Sequence, residues 1–277
     1  MDFQREILAD LPLISSRSNQ YLKQIRILQQ KKAREEKQLF LVEGLRLAEE
    51  AVSSSGELVY GLLSQDFLAN SRGQKLANQA LAKKIPLFLV EEEMLKQVCP
   101  TENSQGIVFV ASYLLGDKLS FQQKIKDNLL IADKISDPGN LGTLLRTALA
   151  AGSQGILLLP GSVDIYNPKV VRSSMGAIFH LPFYQAQSNQ EAWELVEALN
   201  LQIFMADAQG SLPYTKADLK QPAAILMGSE AHGIEDFLQK PSVQSISLPM
   251  SCHSESLNVS VAAGIILYEI QRQRTLA

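Results

Sequence analysis

The sequence predicts an α/β protein built as two units. A smaller α/β unit spans 1–112, a polar linker spans 113–127, and a larger domain with a parallel sheet spans 128–277. Three observations predict this. Short apolar runs alternate with amphipathic stretches along the whole chain, the pattern of strands and helices in turn. Two of the runs, GILLLP (155–160) and AAILMG (223–228), are apolar almost throughout, as expected of parallel strands covered on both faces. Residues 112–127 interrupt the alternation with mixed polar sequence.

In the first unit, residues 20–37 read as a polar, basic helix, FLVEG (40–44) as a strand ending in a turn, and LRLAEEAV (45–52) as a helix. LVYGLL (58–63) is strand-like, and after Ser71 the residues Leu76, Ala77, Ala80 and Leu81 recur at helical spacing. IPLFLV (85–90) reads as a strand, EEEMLKQV (91–98) as a short helix and QGIVFVA (105–111) as a strand. The second series opens with the strand NLLIAD (128–133), then a helix over 140–152, GILLLP, a helix near 168–176 and the strand LPFYQA (181–186). A helix over 189–199, the strands QIFMAD (202–207), AAILMGS (223–229) and SISLP (245–249), and a helix over 257–274 complete it.

Composition excludes several classes. An apolar content of 46% is ample for a packed core. No run of about 18 apolar residues occurs, so no membrane span is expected. The opening MDFQREILADLPLISSRS carries acids and no continuous apolar stretch, so it does not read as a signal peptide. Cys99 and Cys252 lie far apart, and His180, His232 and His253 show no metal-ligand spacing. Neither a disulfide framework nor a metal site is expected, and a reducing cytoplasm is the default location. The net charge of −3 argues against a protein that simply coats nucleic acid. Locally, Arg17, Lys23, Arg26, Lys31, Lys32, Arg34 and Lys37 stand against only Glu35 and Glu36. That excess is either a solvated helix with charge pairs or a face that contacts phosphates.

Three segments could carry chemistry. In DPGNLGTLLRTALAAG (137–152), Pro138 and Gly139 make a turn and Asn140 can cap the helix. At about 100° per residue, Leu141, Leu144, Leu145, Ala148 and Leu149 form a buried stripe, while Asn140, Thr143, Arg146 and Thr147 fall on the opposite arc. The spacing is not GxGxxG, so no dinucleotide fingerprint is present, and no GxxxxGK[ST] occurs. In ILMGSEAHGI (225–234), a buried strand ends at Gly228, and Glu230 is either an acid or orienting carboxylate or a helix-start residue beside Ser229. In ISLPMSCHSESLNVSVAAGIILYEI (246–270), a polar loop precedes an apolar helix carrying the small residues Ser260, Ala262, Ala263 and Gly264. Ser256 and Asn258 there are capping groups or site groups.

In this order and density, the three segments resemble the three signature motifs of the SpoU (TrmH-like) RNA 2′-O-ribose methyltransferases, over residues 128–274. The basic helix running into LFLVEGLRLAEEA resembles, more loosely, the substrate-binding domain similar to ribosomal protein L30e that precedes the catalytic domain in many members. The resemblance implies a SPOUT domain with a deep trefoil knot, a homodimer formed through the C-terminal domain, and S-adenosyl-L-methionine as cofactor. It implies Asn140 and Arg146 as the functional pair of the first motif, Glu230 as the carboxylate of the second, and Ser256 and Asn258 as the polar pair of the third. Gly228, Leu248 and Leu257 match positions whose backbone lines the cofactor. The second motif of the family reads GxEGxG, and Ala231 replaces its middle glycine here.

The implied reaction is attack of a ribose 2′-hydroxyl on the methyl of a sulfonium. Guanidinium groups stay protonated near neutrality, so the role expected of Arg146 is to bind the adjacent phosphate and the developing alkoxide. Ser256 and Asn258 would orient Arg146 or the ribose, and Glu230 would hold the loops or Arg146. The extra domain favours ribosomal over transfer RNA, because it suggests docking on structured RNA by shape. A non-catalytic RNA-binding protein and a nucleotide-dependent oxidoreductase are the readings from other classes.

Overall fold

The structure, a computed structural model, describes residues 11–99, 101, 104–114, 116–228, 242–251 and 256–275. The chain divides into two compact units. The first comprises residues up to 114 together with 166–179, and the second comprises 115–165 and 180 onward.

The first unit runs β1 (Leu13–Ile14), α1 (Gln20–Ile27), α2 (Lys31–Lys37), β2 (Leu39–Glu43), α3 (Leu45–Ser53), β3 (Leu58–Leu63), α4 (Gln65–Ala69), α5 (Ser71–Ala82), β4 (Leu87–Val90), α6 (Glu92–Val98) and β5 (Ile107–Ser112). Its five strands are ordered β1-β4-β3-β5-β2. β1, β4 and β3 are parallel, whereas β5 is antiparallel to both β3 and β2. One face of this sheet packs Leu41, Tyr60, Leu62, Val108 and Val110 against Leu22, Ile25 and Leu28 from the α1 region.

The basic stretch expected as one helix over 20–37 is two. Its break is held by Arg34, which is 2% exposed. The Arg34 guanidinium donates through Nη1 to the carbonyls of Leu28 (2.9 Å) and Gln29 (2.8 Å), carbonyls that the end of α1 leaves without helical partners. One cation counted toward a phosphate-contacting face is therefore structural. Lys31 and Lys32 pair with Glu35 and Glu36 at 3.5 and 3.9 Å, exposed i,i+4 contacts that contribute little to stability.

Residues 166–179, with a helix over Pro168–Ser173, pack within the first unit. The Tyr166 ring stacks on Tyr113, with centroids 3.7 Å apart, and lies 4.8 Å from Phe40. Its hydroxyl accepts from the Leu114 N–H at 2.8 Å. Arg172 stands 3.8 Å from the buried Glu43 carboxylate, to which the Thr101 hydroxyl also donates. Burial pushes the Glu43 carboxyl above its ordinary range, with Thr101 and Arg172 opposing the shift.

The second unit runs α7 (Lys118–Lys124), β6 (Asn128–Asp133), α8 (Pro138–Ala150), β7 (Gly155–Leu158), then the excursion with α9 (Pro168–Ser173), and β8 (Phe183–Gln185). It continues with α10 (Asn189–Leu199), β9 (Gln202–Ala206), β10 (Leu212–Pro213), β11 (Ala223–Gly228), β12 (Val243–Ser247) and α11 (Val259–Thr275). The seven strands, ordered β10-β12-β9-β11-β6-β7-β8, are all parallel. All six residues of β6 are buried, as an apolar central strand covered on both faces requires. Leu129, Ile131, Leu157, Leu226, Trp193 and Leu195 form one core layer. Within 113–127, read from sequence as a linker, α7 sends Phe121 into that layer, and Ile125 follows it one turn later.

On the other side of the sheet, α8 and α11 pack together and run in the same direction. Ser260 of α11 meets Asn140 of α8, Gly264 faces Thr147, and Gln271 faces Gly152. A Cβ on Gly264 would lie 3.3 Å from Thr147 Cγ2, so the small residue permits the close crossing. The far end of α11 is tied down by side-chain amides and charges. Gln273 Oε1 accepts from the Leu219 N–H (3.0 Å), and its Nε2 donates to Ala217 O (3.1 Å) and Glu269 Oε1 (2.8 Å). Arg272 forms a two-pronged pair with Glu269 at 2.7 Å, and Arg274 reaches Asp127 at 2.6 Å.

The Arg272 fork holds the Glu269 carboxyl below its ordinary value of 4.5. Folding stability from this carboxylate is therefore full above pH 4.5 and lost as the pH falls through the lower folded value. Glu269→Gln is expected to be less stable than the natural chain at neutral pH, with the gap in denaturant midpoint narrowing as the pH drops below 4.5. A gap that does not change with pH would contradict this assignment.

Candidate functional site

Strand order places the site. From β6 the chain adds β7 and β8 on one side, then returns to place β9 and β11 on the other, so the order reverses between β6 and β11. Ligands of open parallel sheets bind outside the carboxyl ends at such a switch point. Asp133, the last residue of β6, pairs in register with Gly228, the last of β11. The carboxyl ends of these two strands therefore lie side by side, within or just before the first two candidate segments in sequence.

After β6 the chain turns through Lys134, whose φ of 51° is left-handed, and buries Ile135. The next loop is clipped to it, with the Val163 N–H donating to Ile135 O at 2.8 Å. Asp137, rather than Asn140, caps α8. Its Oδ1 accepts from the Asn140 N–H at 2.8 Å, and Pro138 occupies the first helical position. The Asp-Pro pair was the legible signal, since proline at the helix start needs no N–H partner and an acid before it satisfies the free donors. With Asp137 as cap, the Asn140 side chain is available for other bonds.

That side chain meets the third segment. Asn258 Nδ2 donates to Asn140 Oδ1 at 2.8 Å, across 118 positions of sequence. Asn258 is also the N-terminal cap of α11. Its Oδ1 accepts from the Ser260 N–H (3.0 Å), and its carbonyl accepts from the N–H groups of Val261 and Ala262 (3.0 Å each). Asn258 is therefore a cap whose side chain also bonds to Asn140 of the first segment. Ser260, 3% exposed, adds a further bond, its hydroxyl donating to Asn140 O at 3.0 Å. The sequence marked Ser260 only as small, because nothing in its spacing reveals a bond to a residue so distant.

Arg146 stands apart from this cluster. Six residues beyond Asn140, it lies roughly 9 Å along the helix and about 120° around it. It is exposed and makes no hydrogen bond or ion pair among the described residues. Leu149, expected in the buried stripe, is 37% exposed. Each four-residue step advances about 40°, so a stripe begun at Leu141 drifts off the buried face by Leu149. On α11, Val261 (51%), Ile265 (36%) and Tyr268 (52%) form a second exposed apolar row at positions i, i+4 and i+7.

Ser256 is exposed at the start of the third segment, and Gly228, Leu248 and Leu257 are half-buried at or beyond the ends of β11 and β12. None of these last three carries a charge, and Leu248 and Leu257 are apolar. Glu230 lies outside the described residues, as do His232, Cys252 and His253. Among the described residues, no set of His, Cys, Asp and Glu side chains is arranged to hold a metal ion. None of the described helices is long and apolar enough to cross a membrane. Cys99, buried in the first unit, has its thiol pushed up to about 12 by burial and the nearby Glu43, so it is not a nucleophile at neutral pH.

Residues 127–268 match the SpoU rRNA Methylase family, and residues 19–108 match the MRM3-like substrate binding domain. The 23S rRNA (guanosine(2553)-2'-O)-methyltransferase of Bacillus subtilis is 32% identical over 258 residues, covering 93% of this chain and 98% of that one. Among solved structures, the AdoMet-bound rRNA methyltransferase of Sinorhizobium meliloti superposes with a TM-score of 0.84 at 27% identity, covering 95% of this chain and 98% of that one. The SpoU methyltransferase AviRb of Streptomyces viridochromogenes, in complex with AdoMet, gives 0.83 at 26% identity, covering 94% and 100%.

Proposed function

We propose a mechanism for a chain that belongs to the SpoU rRNA methylase family and is an S-adenosylmethionine-dependent RNA (ribose-2′-O-)-methyltransferase. The observation that carries the mechanism is the Asn258–Asn140 bond, which joins two of the three candidate segments in the first turn of the helix that follows β6. Gly228, Leu248 and Leu257 would hold the cofactor through backbone groups and apolar contact. When bound, the cofactor would supply an electrophilic methyl on a sulfonium, the O–CH3 bond replacing the S–CH3 bond with a neutral thioether as leaving group.

The chain's own task is the nucleophile. A ribose hydroxyl is scarcely ionised at neutral pH, and holding it in line can supply roughly 7–11 kcal/mol of the barrier reduction. Asn140 and Asn258 form a rigid polar wall for the ribose, and Ser256 and Glu230 complete the orienting set. Arg146 binds the phosphate next to the target nucleotide and stabilises the charge that develops on the 2′-oxygen. The hydroxyl proton passes to solvent.

The RNA is ribosomal. A relative covered over 98% of its length acts, by name, on 23S rRNA, and residues 19–108 match a substrate-binding domain. The enzyme works in the cytoplasm as a homodimer, with the C-terminal segment threaded as a trefoil knot. The exposed row Val261, Ile265 and Tyr268 supports the dimer, because apolar rows of this kind mark association surfaces. The separation of Arg146 from Asn140 supports it independently, since a second copy on this surface can deliver Arg146 to the site of its partner.

Two outcomes are expected. Arg146→Ala abolishes methyl transfer to RNA in a labelled-methyl assay, while calorimetry finds S-adenosylmethionine affinity within about twofold of the natural chain, because an exposed side chain apart from the cofactor lining contributes little there. Loss of cofactor binding would remove Arg146 from this role. Mixing inactive Arg146→Ala chains with slowed Asn140→Ala chains, with exchange of subunits, raises the rate above that of either parent if each site draws the two residues from different chains. No such rise in verified mixed dimers would place both residues in one chain's site.

A further inference from the structure

The hydrogen bonds around Asn140 have a direction, and it originates at Ser260. A backbone N–H can only donate, so the Ser260 N–H obliges Asn258 to present Oδ1 to it at 3.0 Å. Asn258 must then offer Nδ2 to Asn140, and Asn140 must answer with Oδ1 at 2.8 Å. The Asn140 N–H is held by Asp137 at 2.8 Å. Its carbonyl is held by the Ser260 hydroxyl at 3.0 Å. Three of the four polar groups of Asn140 are thereby fixed, and Nδ2 is left as its donor without a partner among the described residues.

We propose that Ser260 is a positioning residue for methyl transfer, acting through Asn140 so that Asn140 Nδ2 is the fixed, outward donor that meets the ribose. This rests on the methyltransferase reading above and extends it to a residue that reading does not use. Ser260 itself is 3% exposed and faces the first turn of α8, so it touches neither RNA nor cofactor. Its N–H sets which way both amides point, and its hydroxyl holds the backbone of Asn140 against α11. Gly264 and Thr147, one turn further along, keep the helices close enough for that bond. Removing only the hydroxyl keeps the N–H and the crossing but takes away the bond that ties the Asn140 carbonyl to α11. The cost falls on orientation, which is a cost in rate rather than in cofactor affinity.

The test uses the full-length chain and its Ser260→Ala variant, with saturating methyl-labelled S-adenosylmethionine and unmodified ribosomal RNA. Single-turnover transfer is expected to fall about tenfold, the size of one well-made hydrogen bond. Cofactor affinity and melting temperature should stay close to those of the natural chain. In an Asn140→Ala background, the same substitution should change the rate by less than about twofold, because residues that act as a unit are not additive. Asparagine-selective 15N labelling supplies a readout independent of turnover, with the Asn140 side-chain amide identified by its absence in Asn140→Ala. Ser260→Ala is expected to shift or broaden that signal. An unchanged rate, an equal loss in both backgrounds, or an unmoved Asn140 amide would overturn the proposal. If the natural chain transfers no methyl, the functional reading fails instead, and the amide signal still decides whether Ser260 holds Asn140.

Discussion

The hydrogen bond between Asn258 and Asn140 is the contact on which the rest of the site depends. It joins the helix that follows the first strand of the parallel sheet to the helix that ends the chain. Each partner is fixed before it reaches the other. Asp137 takes over the capping of α8, which frees the Asn140 side chain, and Asn258 caps α11 with one atom while donating with another. The capping chemistry that begins α11 is thus also the chemistry that joins it to α8, with Asn258 serving both purposes.

Packing makes this economy possible. α8 and α11 approach closely because Gly264 lies against Thr147 and Ser260 against Asn140. At the far end, Gln273 and Arg274 tie α11 to the loop over 217–221 and to Asp127. A helix held at both ends cannot slide along its neighbour without breaking buried polar bonds, each costly to leave unmade. The Asn140–Ser260 contact therefore stands on secondary structure rather than on loops, the arrangement that holds side chains to small tolerances.

Much of the architecture was legible in the sequence. NLLIAD and LVYGLL stand in the structure as read, because an unbroken apolar run between turn residues has few other solutions. The last helix was legible for the same reason, with its start displaced by two residues to Val259, where Asn258 takes the cap. The family resemblance also brought Asn140 and Asn258 forward together, although no spacing rule connects positions 118 residues apart. What failed to show was tertiary. Arg34 counted as a surface cation, yet it is buried across a helix break, because charge counts carry no information on which carbonyls need a donor. Leu149 followed the apolar stripe and still faces outward. The excursion over 166–179 carries Tyr166 and Arg172 to Phe40 and Glu43 of the first unit, a pairing that local periodicity could not signal.

The central claim is that this arrangement transfers a methyl group to a ribose 2′-hydroxyl of ribosomal RNA. The direct measurement incubates the purified chain with methyl-labelled S-adenosylmethionine and separate pools of unmodified ribosomal and transfer RNA, then resolves the digested nucleosides. The account predicts label in 2′-O-methyl nucleosides from the ribosomal pool. Label confined to the transfer RNA pool would contradict the substrate, and label on a base rather than a ribose would contradict the chemistry.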